Sequence, residues 1–142
     1  NGKIETLIGR SRKNRQLMSV TEITGKKSIT NYKTLKVFNI KDVPKISFLE
    51  CKLETGRTHQ IRVHMAYKGN SLLGDQQYGK KNLRFKKINE EFEDKLKVLS
   101  RQALHAKSLG FIHPTSKKLI SFESKLPKDF KKILDLLNKL SH

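Results

Sequence analysis

The chain has 142 residues, 35% of them hydrophobic, with 31 Lys and Arg against 13 Asp and Glu for a formal net charge of +18. This length supports a single domain, residues 1–142, with one core, and the charge points to a polyanionic partner, nucleic acid before a membrane surface. No apolar run is long enough to span a membrane, and the single cysteine excludes a disulfide within the chain, which suits a reducing compartment such as the cytoplasm.

Residues 3–8 read as a short strand. Residues 9–15 follow as a turn or loop in which Arg10, Arg12, Lys13 and Arg15 carry positive charge without an acid among them. Such a loop can grip phosphate or can simply be a solvated charge block. Residues 16–20 form a second strand, 24–27 a turn, and 28–38 a longer strand whose apolar content is Tyr32, Leu35, Val37 and Phe38. Asp42-Val-Pro44 turns the chain into residues 46–53, where Leu49, Cys51 and Leu53 alternate with Glu50 and Lys52. That alternation predicts a half-buried strand with a buried structural thiol, and the spacings together describe an antiparallel meander.

Gly56 breaks this strand, and Thr58 is placed to cap a helix in which Ile61 and Met65 fall at i and i+4 while His59, Arg62 and Ala66 share another face. An arginine one turn into a helix that leaves a strand end has its fork available to a carboxylate or phosphate, unless it is one more surface cation. Gly69-Asn70 stops the helix. Leu72 and Leu73 are core candidates, and Gly74-Asp75 with Tyr78-Gly79 makes a turn-rich loop. Asp75 there is a catalytic acid, the partner of an arginine or a turn residue, the turn role being the favoured one.

Lys80, Lys81, Arg84, Lys86 and Lys87 surround Leu83 and Phe85, a composition suited to RNA backbone contact with base stacking. Residues 89–99 turn acidic and then helical on Phe92, Leu96 and Leu99, and are expected to be an insertion between framework elements. Residues 102–112 read as a buried strand and 119–122 as its hairpin partner. Pro127 and Asp129 open a terminal helix whose Phe130, Ile133, Leu134, Leu137 and Leu140 cover a sheet face. His59, His64, His105, His113 and His142 lack metal-ligand spacing, with no HExxH or CxxC, and no glycine-rich phosphate loop occurs. No metal and no cofactor is therefore assigned. Cys51, on an apolar strand side, is a poor nucleophile.

Three stretches occur in order: Gly56-Arg-Thr-His-Gln-Ile-Arg-Val-His-Met65, then Leu73-Gly-Asp75 with Tyr78-Gly79, then Arg101-Gln-Ala-Leu-His-Ala106 running on to Phe111, His113 and Pro114. Together they resemble the motifs of the RluA family of RNA pseudouridine synthases, over nearly the whole chain but only the C-terminal part of that family's catalytic domain. The resemblance implies an α+β fold, a mainly antiparallel mixed sheet flanked by helices. It also implies isomerisation of uridine to pseudouridine in RNA, most plainly ribosomal RNA, without a cofactor.

The family's nucleophile is an aspartate in an HRLD-like motif, which does not occur in these 142 residues. By the same resemblance Arg62 pairs with that aspartate, and Leu104 packs beneath the uracil. Arg57, His59 and His105 are further substrate-contact candidates within the motifs, and the cations at 10–15 and 80–87 are the expected RNA contacts. The expectations that follow are an upstream catalytic portion beyond this chain, an isolated chain that is inactive, and self-association through surfaces left open. A non-enzymatic RNA-binding module is the alternative.

Overall fold

A computed structural model describes residues 1–41, 44–79 and 90–141. Four strands, β1 (Gly2–Arg10), β2 (Met18–Thr21), β3 (Lys26–Phe38) and β4 (Ile46–Leu53), form one antiparallel sheet in the order β2-β1-β3-β4. The expected antiparallel pairing is present, but the sheet is not the expected meander: β1 lies between β2 and β3, so the β2–β3 connection crosses over it, and the first strand is longer than predicted. The expected turn at 42–44 falls largely outside the described residues. Helix α1 (Gln60–Tyr67) follows β4, α2 (Glu90–Leu99) and α3 (Lys128–Leu140) follow later, and β5 (Ser108–Ile112) pairs with β6 (Leu119–Glu123) as a separate two-stranded sheet.

The register fixes which side chains share a face, because paired residues in an antiparallel ladder point the same way. Thr30 pairs with Ile4 and Leu53, Tyr32 with Cys51, and Thr34 with Leu49, so these lie on one face. A register shift between Thr34 and Lys36 inserts one residue, after which Lys36 pairs with Phe48 and Phe38 with Ile46. Phe38, Ile46 and Phe48 therefore face the opposite side from Thr30.

The apolar core sits on that second side, where Phe38, Ile46, Phe92, Leu99, Ile133, Leu136 and Leu137 are buried together. Each such side chain contributes about 1.5–3 kcal/mol relative to exposure. Helix α2, the segment expected to be an insertion between framework elements, is packed into this core through Phe92 and Leu99. In α3 the buried set is Phe130, Ile133, Leu136 and Leu137, with Leu134 and Leu140 at the margin.

Several sequence expectations are corrected. In β4 Leu49 and Cys51 are half-buried between exposed Glu50 and Lys52 as the alternation requires, but Leu53 is exposed and the fully buried residue is Ile46, on the other face. Cys51 is half-buried, its thiol raised by burial and then by the charge of Glu50. In β3 the buried residues are Ser28, Ile29, Thr30 and Phe38, while Leu35 and Val37 are exposed beside the register shift. Residues 102–107 are not strand, and every residue of β5 is exposed, because β6 covers its edge and nothing described covers its faces.

Candidate active site

Helix α1 is held to the sheet by polar groups. Gln60 donates to the carbonyl of Ile29 at 2.9 Å and to Thr30 Oγ1 at 3.0 Å, and its own carbonyl oxygen accepts from Thr55 Oγ1 at 2.8 Å and the Arg57 amide at 3.0 Å. His64, fully buried, is hydrogen-bonded through Nδ1 to Thr30 Oγ1 at 2.8 Å and through Nε2 to Thr6 Oγ1 at 2.9 Å. Burial holds its imidazole below the ordinary value, so it is neutral at pH 7. With both ring nitrogens engaged, the helix has one rotational setting on β1 and β3.

The helix begins without the expected Thr58 cap. Its N-cap is His59, at φ 57° in the left-handed region, with no side-chain cap bond. A positive φ in a residue with a Cβ carries strain and belongs to sites that the surrounding structure over-determines. At the other end Gly69, φ 80°, donates to the Ala66 carbonyl and Asn70 donates to that of Met65, a glycine stop of the kind the sequence pointed to.

That setting buries Arg62, 8% exposed, against Asp75, whose side chain is fully buried. Arg62 Nε donates to Asp75 Oδ2 and Nη2 to Asp75 Oδ1, both at 2.8 Å, and Nη2 also donates to Gln77 Oε1 at 2.8 Å. Its Cζ lies 4.7 Å from the centroid of the Tyr78 ring. Asp75 Oδ1 further accepts the amides of Gln77 and Tyr78, each at 3.1 Å. Burial raises the Asp75 carboxyl, but the Arg62 hydrogen bond, the two amides and the Arg62 charge together outweigh it and leave the group ionised. Asp75 thus holds both the turn role favoured from sequence and the arginine-partner role set beside it. With no exposed side-chain surface it cannot reach a substrate as a catalytic acid.

Tyr78 completes the cluster: its hydroxyl accepts the Met18 amide at 2.9 Å and is hydrogen-bonded to His59 Nδ1 at 2.9 Å. Burial, then the charges of Arg62 and Arg10 against that of Asp75, place His59 below its ordinary value, hence neutral. Arg62 Nη1 makes no hydrogen bond to a described residue, so one edge of the fork remains to receive a carboxylate or phosphate.

The other sequence-selected residues lie further out. Arg57 donates from Nε to the Lys27 carbonyl at 3.1 Å. Arg10 donates to the Arg15 carbonyl at 3.4 Å, and Arg10, Arg12, Lys13 and Arg15 are all exposed around the β1–β2 turn. Leu104, half-buried, sits in a loop docked beside the site, where the Ala103 amide donates to the Leu73 carbonyl at 2.7 Å. Gly74, φ 73°, permits this approach, since a side chain there would collide with the Arg101 carbonyl. His105 donates to the Ser124 carbonyl at 3.1 Å, and neither it nor Leu104 hydrogen-bonds Arg62 among the described residues. Lys80, Lys81, Arg84, Lys86 and Lys87 fall outside the described residues. Among those described, no three His, Cys, Asp or Glu side chains gather as a metal site, and no helix is long and apolar enough to cross a membrane.

Residues 1–67 match the family model for RNA pseudouridylate synthase. The ribosomal large subunit pseudouridine synthase D of Zymomonas mobilis is 42% identical over 96% of this chain and 40% of its own length. The enzyme of that name from Neisseria meningitidis serogroup A is 44% identical over 96% of the chain and 35% of its own length. The chain belongs to the RluA family of RNA pseudouridine synthases. It spans about two fifths or less of the length of these relatives. Human RNA pseudouridylate synthase domain containing 1 shares the fold at TM-score 0.65 and 23% identity, over 96% of this chain and 59% of that one.

The α+β architecture expected from the family motifs is the one observed. Sequence reasoning missed the supports of the RluA-family arginine: Tyr78, Gln77, Gln60, His64, Thr30 and Thr6. A signal was present for some, since Thr6 of β1 and Ser28 and Thr30 of β3 are polar residues on one face of the sheet that a covering helix must bury.

Proposed function

We propose that this chain is the C-terminal part of the catalytic domain of an RNA pseudouridine synthase acting on large-subunit ribosomal RNA in the cytoplasm. The observation that carries the reading is the buried guanidinium of Arg62, gripped by Asp75 and Gln77 over the Tyr78 ring, with Nη1 making no hydrogen bond to a described residue. The names of the relatives and the +18 charge support the substrate class.

In this reading the base is detached from its sugar, turned and rejoined through carbon, with no cofactor consumed. The nucleophilic carboxylate comes from an HRLD-like segment that precedes these residues in the whole enzyme. Arg62 receives it on its remaining edge and keeps it ionised and aimed, Asp75 keeping the arginine itself in place. Leu104 packs beneath the uracil, and Arg57, His59 and His105 contact the substrate. The target uridine leaves its stack at a cost of a few kcal/mol, offset by phosphate contacts of Arg10, Arg12, Lys13 and Arg15 and of the cations at 80–87. The chain by itself self-associates through the exposed Leu109, Phe111, Ile112, Leu119 and Phe122 of the β5–β6 hairpin.

The test is tritium release from 5-labelled uridine in ribosomal RNA, comparing a longer enzyme carrying the HRLD-like segment with its Arg62→Lys variant. Lysine keeps the charge but not the fork. The single-turnover rate should fall at least 100-fold with RNA affinity nearly unchanged, and the 142-residue chain alone should release no tritium. An Arg62→Lys enzyme at the parent rate would remove Arg62 from the chemistry. Release by the chain alone would show that it needs no upstream nucleophile. The other reading, an RNA-binding module without catalysis, draws on the absence of an HRLD-like motif from these residues, and predicts salt-sensitive RNA binding with no turnover in any longer form.

A further inference from the structure

Building on that reading of the site, we propose that Tyr78 is a positioning residue: it fixes the plane of the Arg62 guanidinium and ties it to the cationic β1–β2 turn. Asp75 and Gln77 grip the fork by hydrogen bonds from Nε and Nη2, whose N–H bonds lie in the guanidinium plane. Such bonds set the direction of the fork but resist tilting weakly, because donor–acceptor geometry tolerates broad out-of-plane angles. The Tyr78 ring, 4.7 Å below Cζ, supplies the missing restraint, since a guanidinium held over an aromatic face is attracted to the ring quadrupole. The ring is itself braced by the edge of His59, with centroids 5.6 Å apart and planes at 74°.

A phenylalanine would provide that ring equally well. The hydroxyl does something more: it takes the amide of Met18, the first residue of β2, and meets His59 Nδ1. Met18 pairs with Arg10 across the β1–β2 ladder. The intervening turn is internally bonded, Ser11 donating to the Leu17 carbonyl and Leu17 to that of Asn14, both at 2.9 Å. The turn is thus a stiff hairpin tip bearing Arg10, Arg12, Lys13 and Arg15, fastened to the arginine site by one hydroxyl. A phosphate engaged at the tip and the reacting base near Arg62 are held in one frame through Tyr78.

The experiment compares Tyr78→Phe, Tyr78→Leu and Arg62→Lys in the longer enzyme, reading single-turnover rate, RNA affinity and melting temperature. It adds the Arg62 Nε–H resonance of the 142-residue chain by NMR. Tyr78→Phe should keep the ring-shifted Arg62 resonance and lose about tenfold in rate, the scale of one hydrogen bond. Tyr78→Leu should move the resonance toward that of exposed arginines and lose on the order of 100-fold, both with RNA affinity within about twofold. If Arg62→Lys is inactive but Tyr78→Leu keeps the parent rate, the role of Tyr78 is overturned and the active-site reading stands. If Arg62→Lys is fully active, the active-site reading fails and Tyr78 has no guanidinium to position for this reaction. An Arg62 resonance identical in the parent chain and Tyr78→Leu overturns the ring contact whatever the rates. Equal losses of rate, affinity and melting temperature in Tyr78→Phe would mark a merely structural tyrosine and also overturn the proposal.

Discussion

The two helical layers on the sheet are built from opposite materials. Beneath α1 the buried groups include Thr30, Gln60, Arg62, His64 and Asp75, hydrogen-bonded from helix to strand or loop, and Ser28, bonded within its own strand. Against α2 and α3 the buried groups are Phe38, Phe92, Leu99, Ile133, Leu136 and Leu137. Apolar contact is non-directional and supplies most of the stability, whereas a saturated polar network admits one arrangement and fixes where a side chain points. The layer that must aim an arginine is the polar one.

The comparison is broken most directly at Asp75. Asp75→Asn leaves a buried guanidinium without its counter-charge and should cost roughly 3–5 kcal/mol, and it should abolish turnover in the longer enzyme as Arg62 loses its setting. Phe92→Ala should cost about 3–5 kcal/mol as well, read by urea unfolding, but should leave the chemical step of the surviving folded enzyme unchanged. If both variants damaged the chemical step equally, the division of labour between the layers would be wrong.

His64→Leu sharpens the contrast at a smaller scale. It removes the partner of Thr6 and Thr30 while filling the space, so roughly 1–3 kcal/mol should be lost, with rate loss exceeding what stability alone explains. The same histidine makes stability depend on pH. Its native value lies below the unfolded one, so between the two the unfolded chain binds a proton that the native chain does not. The contribution is complete above the unfolded value of about 6.5 and declines as pH falls through it. Urea midpoints at pH 7.5 and 5.5 should therefore converge more in His64→Leu than in the parent. Smallest of all, Glu5→Gln removes an exposed cluster with Lys3 and Lys27 and should leave the midpoint unmoved, since exposed pairs are screened by solvent.

What could be read from the chain follows the same division. Alternation marked the strands and helical spacing marked α2 and α3, because apolar periodicity is written in residue type. The motif around Arg62 was legible through its family resemblance. Its partner was harder to rank, because a short acid in a Gly-Asp turn has a local explanation in its own backbone amides, and Asp75 uses that one and the arginine together. His64 and Thr30 were missed since polar residues carry no sign of burial until a register pairs them. Residues 102–112 misled because Leu104, Leu109, Phe111 and Ile112 look like core, yet in the described structure β5 is exposed on both faces.

The extra residue between Thr34 and Lys36 bears on how this sequence can vary. Thr30, which meets His64, and Phe38, which meets the apolar core, are both even-numbered positions of one strand, yet they serve opposite sides of the sheet. A strand read in steps of two has a phase, and here the phase is reset once, midway. As long as the shift is kept, the number of residues separating Thr30 from Phe38 is fixed in parity even where their neighbours are free to change. A relative shortened by one residue in this interval would keep the two positions on opposite sides only by losing the register shift and running as a regular strand.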